Sequence, residues 1–149
     1  MKPNHPLYFP TNPTRYRKNF AQTIFDAVLK DQKLTPYDDE YFADEIPLEK
    51  VQKKLYRIEK GMKEDFDTDE LVAYVDTIRI LSSDIIEIVV REEKFFDKKR
   101  SVMDQRILGL APVALIQNPE TFEWEKTILF WVYFPAARQT LSNAKIYNP

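Results

Sequence analysis

The sequence predicts an α+β fold in which two N-terminal helices pack on an antiparallel β-meander of about three to five strands, with a short C-terminal helix. Two observations indicate this fold. Apolar residues recur at helical spacing between about residues 19 and 58, and from about residue 71 onward they occur in β-branched and aromatic runs separated by turn residues. In this order of elements, both helices most naturally cover one face of the sheet.

The 149 residues are predicted to form a single domain, because a chain of this length can bury a core of its own. Residues 1–16 are predicted to be an extended, proline-rich arm, and residues 17–149 the globular core. Four prolines between residues 3 and 13 oppose a helix in the arm. The apolar residues 7–9 between them are expected to dock on another surface.

Two helices are predicted before the sheet. Asn19 is expected to cap the first, with Gln22 three residues later, and that helix runs from about residue 19 to 32. The second is predicted to begin near Pro47 and to end at Gly61 in the left-handed conformation. Residues 34–46 between them are predicted to be a loop or one short strand. The apolar face of the second helix consists of Val51, Leu55 and Ile58.

The β pattern begins near residue 71 and includes the runs 78–81 and 85–90, which lead on to Phe95 and Phe96. A charged turn is predicted at 97–101. The next strand is predicted from Met103 to Ile116, with Gly109 as a β-bulge or a point of close backbone approach.

A turn at 118–121 is predicted to lead into the partner strand, Phe122–Phe134, and Pro135 to end that strand and open a short helix through Leu141. The partner strand carries large apolar side chains on both faces, in the rows Ile128, Phe130, Val132, Phe134 and Leu129, Trp131, Tyr133. One row is expected to meet the helices, and the other needs the N-terminal arm, another layer or a partner subunit. We therefore predict that the helices, the arm or a neighbouring subunit cover Phe95, Phe96, Trp131 and Tyr133.

Composition excludes several classes of function. The net charge of −2 arises from 22 basic and 24 acidic residues spread along the chain, so no electrostatic footprint for nucleic acid is present. The absence of cysteine removes thiol catalysis and cysteine-ligated zinc, and two distant glycines cannot form a phosphate-binding loop. His5, the single histidine, is expected to be solvated. The longest apolar run, 107–116, is about half the length of a membrane-spanning helix.

Acidic residues provide the remaining candidates for chemistry. Asp65, Asp67 and Asp69 have the spacing of a calcium loop, but Glu70 stands where the sharp turn requires glycine, so they are weak metal candidates. Asp97 and Asp104 flank a turn among basic residues, where salt bridges are expected in place of acid and base work. Arg100 is expected to bind carbonyl or carboxylate groups across this hairpin. No catalytic or cofactor-binding residue is predicted.

Several segments resemble the gliding motility protein family GldN, called PorN in the type IX secretion system of Bacteroidetes bacteria. The more specific parts of the resemblance are FFDKKRSVMDQRILGLAPV at 95–113 and LFWVYFPAARQTLSNAKIYNP at 129–149. The resemblance also includes PLYFP at 6–10, RKNFAQTIFDAVLKDQKLTPYDDEYF at 17–42 and PLEKV at 47–51, whereas residues 60–90 match only loosely.

The resemblance implies a periplasmic structural component that forms a large ring beneath the outer membrane with a GldK/PorK-type lipoprotein. It also implies contact with the periplasmic part of the GldM/PorM motor protein, and it brings no catalytic residues. Phe95, Phe96, Arg100, Trp131 and Tyr133 are then the candidates for structural or interface roles. Because members of this family begin with a secretory signal and continue past the final segment, we expect residues 1–149 to be a trimmed core domain or a divergent paralogue.

Two other functions compete with this interpretation. The chain could be a peptide- or protein-binding module that captures an extended segment at a sheet edge or in an aromatic groove. It could also be a hydrolase or metal enzyme, which only the acidic clusters support. The first would be favoured by binding of a defined peptide motif, and the second by turnover that depends on Asp67, Asp97 or Asp104.

Overall fold

The computed structural model describes residues 9–64, 70–118 and 120–145. Within these ranges the chain forms three helices and seven strands, and the predicted α+β fold is confirmed. The helices are α1 (Phe20–Leu29), α2 (Leu48–Lys54) and α3 (Phe134–Ser142). The strands are β1 (Pro36–Tyr37), β2 (Tyr56–Glu64), β3 (Leu71–Arg79), β4 (Ile85–Asp97), β5 (Val102–Gln117), β6 (Trp124–Ile128) and β7 (Trp131–Tyr133).

Five of the strands form one antiparallel sheet in the order β1-β7-β5-β4, with β6 also paired to β5. Strand β5 is central, because β4 runs along one of its edges and β6 and β7 follow one another along the other. Strands β4, β5 and β6 form the part of the predicted meander that is confirmed, whereas β3, which the β pattern from residue 71 placed in the same meander, lies outside this sheet. Strands β2 and β3 pair only with each other among the described residues and form a separate hairpin.

Helix α1 covers one face of the sheet. The Asn19 side chain accepts a hydrogen bond from the backbone N–H of Gln22 at 2.7 Å, which is the predicted N-cap. The Phe25 ring packs against the Phe130 ring with 5.9 Å between their centroids. The helix ends at Leu29, earlier than predicted, because Gln32 takes a left-handed φ of 51° and turns the chain. The core includes Ile24, Val28, Val51, Ile80, Leu110, Ala114, Leu129, Phe130, Val132 and Ala137.

The prediction that the second helix continues to Gly61 is wrong. Helix α2 ends at Lys54, and β2 begins two residues later. The backbone N–H of Ile80, just after β3, donates to the Leu55 carbonyl at 2.6 Å and fixes the chain where it enters the hairpin. Gly61 lies inside β2 opposite Tyr74 and has no positive φ. Ile58, which continued the helical spacing, is exposed on the hairpin.

The β2–β3 hairpin is attached to the end of β5 by Arg57 and Lys60. The Arg57 guanidinium donates to the Leu115 carbonyl at 3.5 Å and lies 5.7 Å from the centre of the Trp124 ring. The backbone N–H of Lys60 donates to the Gln117 side chain at 3.1 Å. An isolated two-stranded hairpin is marginally stable in water, so these contacts matter for its order.

Replacing Arg57 with alanine is expected to loosen the hairpin without unfolding the rest of the chain. Amide hydrogens of β2 and β3 should exchange faster, while the free energy of global unfolding changes by less than about 1 kcal/mol. Hydrogen exchange followed by mass spectrometry measures both. The matched control is Lys63→Ala, an exposed change in the same strand, which should leave the exchange rates as they are. Equal effects of the two substitutions would contradict the role of Arg57.

A bulge separates β6 from β7, where a single strand over 122–134 was predicted. The two strands pair with β5 in registers that differ by one residue. The shift lies beside Pro112, which accepts a hydrogen bond from the Leu129 N–H at 3.0 Å but has no N–H to return. Leu129 and Phe130 are consequently both buried. The predicted alternation of the two rows is therefore wrong at this point.

The second face of the sheet is covered in part by the loop of residues 38–45, between β1 and α2. The Asp39 carboxylate accepts the backbone N–H groups of Tyr41 at 2.6 Å and Asp44 at 3.0 Å, which holds the loop together. Arg91 of β4 pairs with Glu40 at 3.0 Å and lies 4.4 Å from the centre of the Tyr41 ring. A cover formed by this loop was not predicted from the sequence.

Phe42 of the same loop sits directly on the sheet. Its ring makes edge contacts with Tyr37 and Tyr133, at centroid distances of 5.5 and 5.2 Å. A Cβ atom on Gly109 would overlap this ring, with 2.9 Å to Cε1. The register between β4 and β5 also shifts next to Gly109. The predicted bulge or close approach at this glycine is thus confirmed.

Candidate assembly interface

The outer part of the β4–β5 hairpin extends beyond the other strands of the sheet. Residues 92–97 pair with residues 102–107, whereas β7 meets β5 only at Gly109 and Leu110, and β6 meets it further on, at residues 113–117. We call residues 92–107 the ribbon. It contains the FFDKKRSVM segment that carries much of the sequence resemblance.

The aromatic candidates lie at different depths. Trp131 is buried, with 6% of its surface exposed, whereas Tyr133 is 40% exposed at the rim of the Phe42 contact. Phe95 is half-buried on the ribbon and lies 4.6 Å from the Arg106 guanidinium. Phe96 lies on the other face of the ribbon and is 55% exposed. Its cross-strand neighbour Met103 is 69% exposed. Of these four aromatic residues only Trp131 is buried within the described chain, and a neighbouring subunit as the cover of Phe96 stays a prediction.

The turn of the ribbon is organised by Asp97. Its carboxylate accepts the backbone N–H groups of Lys99 at 2.9 Å and Arg100 at 3.2 Å, and it pairs with the Arg100 guanidinium at 2.8 Å. Arg100 also lies 3.9 Å from Asp104. The two carboxylates are therefore neutralised by arginine, as expected for a salt-bridged turn. Hydrogen bonding from Arg100 holds the pKa of Asp97 below its ordinary value.

This lowered pKa predicts how acid acts on the turn. A carboxyl group whose pKa is lower in the folded than in the unfolded chain stabilises the fold fully above its unfolded pKa, and loses that contribution as the pH falls through the folded value. In an NMR titration the pKa of the Asp97 carboxyl group should therefore lie below 3.8, the ordinary value for aspartate. Substituting Arg100→Gln should move the midpoint up, whereas Lys98→Gln, its neighbour in the turn, serves as the control. An unchanged midpoint in Arg100→Gln would contradict this assignment.

A second exposed apolar surface lies on the β2–β3 hairpin and was not predicted from the sequence. Alternate residues 56–64 of β2 stand opposite alternate residues 79–71 of β3, with Lys60 opposite Val75, so they share one face. The alternation of Tyr56 and Ile58 with charged residues was the signal that could have revealed this strand. The exposed apolar side chains of this face are Tyr56, Ile58, Met62, Leu71 and Val75.

The metal candidates Asp65, Asp67 and Asp69 lie outside the described residues, as does His5. Across residues 9–64, 70–118 and 120–145, the structure holds no group of three or more histidine, cysteine, aspartate or glutamate side chains placed to bind a metal ion. No helix in that part of the chain has the length and apolar character to cross a membrane.

The fold therefore defines an α+β protein with exposed apolar residues on two of its hairpins, which are surfaces suited to contacts with other proteins. Comparison with protein families identifies the group. Residues 1–149 match the family described as gliding motility associated protein GldN, and the chain belongs to that family. It is thus a component of the gliding motility and type IX secretion machinery. A search of curated proteins finds no match.

Proposed function

We propose that the chain is a non-enzymatic structural component that assembles in the periplasm, on the inner side of the outer membrane. There it forms a ring complex with a GldK/PorK-like lipoprotein and contacts a GldM/PorM-like motor protein. The observation that carries the proposal is the family match over the whole chain. It takes no cofactor and acts through its surfaces.

The arrangement of the surface supports an assembly role. Phe96 and Met103 face solvent on the ribbon, and a comparable apolar row faces solvent on the β2–β3 hairpin. Contiguous rows of exposed apolar side chains are typical of surfaces that contact other proteins. The strongest pKa shift in the described chain belongs to Asp38, lowered to about 2 by hydrogen bonds from Lys50 and Lys54. That group is a surface ion pair and gives no sign of acid or base chemistry.

The test is co-purification with the lipoprotein. The chain and the soluble part of a GldK/PorK-like lipoprotein, mixed and separated by size-exclusion chromatography with light scattering, should elute together as a large oligomer. An unrelated periplasmic lipoprotein domain is the control and should elute alone. Fractionation of cells that express the intact gene should place the protein in the periplasm. Failure to co-elute in any ring or oligomer would count against the proposal.

A further inference from the structure

The ribbon has two backbone edges without a strand partner in the described chain. Residues 92–97 pair with residues 102–107, and neither segment pairs with a further strand among residues 9–64, 70–118 and 120–145. Unpaired edges present rows of N–H and C=O groups that can bind another strand. Because β4 lies at one edge of the ribbon and β5 at the other, a single copy offers two different edges.

The side chains of the two edges match each other. On one face of the ribbon Glu93 lies opposite Arg106, and on the other Phe96 lies opposite Met103. No pair in this register joins two like charges. A shift of two residues in one direction would place Glu93 opposite Asp104, and a shift of two in the other would place Asp97 opposite Asp104. A shift of one would move the apolar side chains to the wrong face.

We propose that the ribbon joins copies of this chain head to tail. The edge at residues 92–97 of one copy lies antiparallel beside the edge at residues 102–107 of the next, in the register that the two strands have within each copy. Glu93 then meets Arg106 of the next copy, and Phe96 meets its Met103. The occupant of each edge is thus a second copy of this chain.

Head-to-tail contact satisfies both edges of every copy, whereas a two-fold contact through one edge would leave the other unpaired. Heterologous contacts of this type close into rings when the rotation between copies allows it. The exposed residues Phe96 and Met103 would become one continuous apolar row across the copies. The inference rests on the proposed assembly role and adds the surface through which copies meet.

Because the chain contains no cysteine, the contact can be tested by disulfide formation. The Cα atoms of directly opposite residues in an antiparallel pair are about 4.5–5.5 Å apart, which lies within the range that disulfides span. A mixture of the Glu93→Cys and Arg106→Cys variants, oxidised at the highest concentration that stays in solution, should give a mixed disulfide dimer. Each variant alone should give none. The control mixture pairs Arg106→Cys with Lys63→Cys, which places the second cysteine on the other hairpin.

Charge reversal at Glu93 and Arg106 supplies a second test. Its expected result differs from the result if the two residues only paired with each other within one copy. Glu93→Arg alone and Arg106→Glu alone each place like charges at the contact, and their self-association should weaken at least about tenfold. Mixing the two variants restores an opposite pair at every contact, so association should return. If the residues served only the fold of their own copy, mixing would restore nothing. The double variant Glu93→Arg, Arg106→Glu should associate by itself, which checks that reversal leaves the ribbon folded.

The outcomes separate this inference from the proposed function. A mixed disulfide without co-elution of the lipoprotein keeps the contact and overturns the proposed complex. Co-elution without a mixed disulfide overturns the contact. A disulfide only between identical positions, or binding of a foreign strand at these edges with no self-association, also overturns it.

Discussion

Replacing Phe130 with alanine is expected to lower the free energy of unfolding by about 3–5 kcal/mol, the range measured for truncated core aromatic residues. Phe130 is the largest of the fully buried side chains, with 1% of its surface exposed, and it contacts the Phe25 ring of α1. It belongs to the hydrophobic core, and a close-packed core relaxes only partly around a new cavity. Urea denaturation followed by far-UV circular dichroism measures the change.

The matched control is Phe96→Ala, which removes the same atoms from the exposed face of the ribbon. Measured at a concentration where the chain is monomeric, this change should stay within about 0.5 kcal/mol. The same variant should weaken self-association, because it removes the apolar row proposed to join copies. Similar destabilisation of the monomer by both substitutions would contradict the assignment of Phe130 to the core and Phe96 to a contact surface.

The elements that the sequence predicted well are those with local signals. The cap at Asn19, the turn at Asp97 and the proline at the start of α3 each act through neighbours a few residues away. Gly109 also stood out, because a glycine within an apolar strand indicates close approach. The residue that approaches Gly109 could not be predicted, because Phe42 lies 67 positions earlier in a loop with no regular pattern.

The errors arose where distant pairing overrides local spacing. Val51, Leu55 and Ile58 fit a helix equally well, but Ile58 lies in a strand because β3 pairs with the segment that contains it. The break between β6 and β7 depends on the missing N–H of Pro112 in the neighbouring strand. Both outcomes require knowledge of which strands meet. A pattern within a single segment does not contain that information.

The candidate interface was only partly predictable for the same reason. The many aromatic residues around positions 95 and 131 indicated that these segments need a cover. A large apolar side chain near the end of a strand gives the same sequence pattern whether it is buried or exposed, so the pattern does not show which of them is covered. Trp131 lies opposite Tyr37 of β1 within the sheet, whereas Phe96 lies on the ribbon beyond the other strands. The distinction depends on how far β4 and β5 extend past their neighbours.

Replacing Gly109 with alanine is expected to destabilise the chain by about 1–3 kcal/mol, the usual cost of extra volume in a packed region. The new methyl group would overlap the Phe42 ring and lie 3.4 Å from Trp131. Phe42 cannot move aside easily, because its ring is held between Tyr37 and Tyr133 and its backbone has a left-handed φ of 60°. Thermal and urea denaturation of the variant measure the effect.

The chain offers a matched control in Gly61→Ala, the same substitution at its other glycine. There the neighbour is the half-exposed Tyr74 side chain, which can rotate toward solvent, so the cost should be clearly smaller. A double-mutant cycle then isolates the cause. In a Phe42→Ala background the Gly109→Ala change should lose most of its cost, because the ring that it would strike is gone. An undiminished cost in that background would show that the backbone at position 109, and not the loop that covers the sheet, requires glycine.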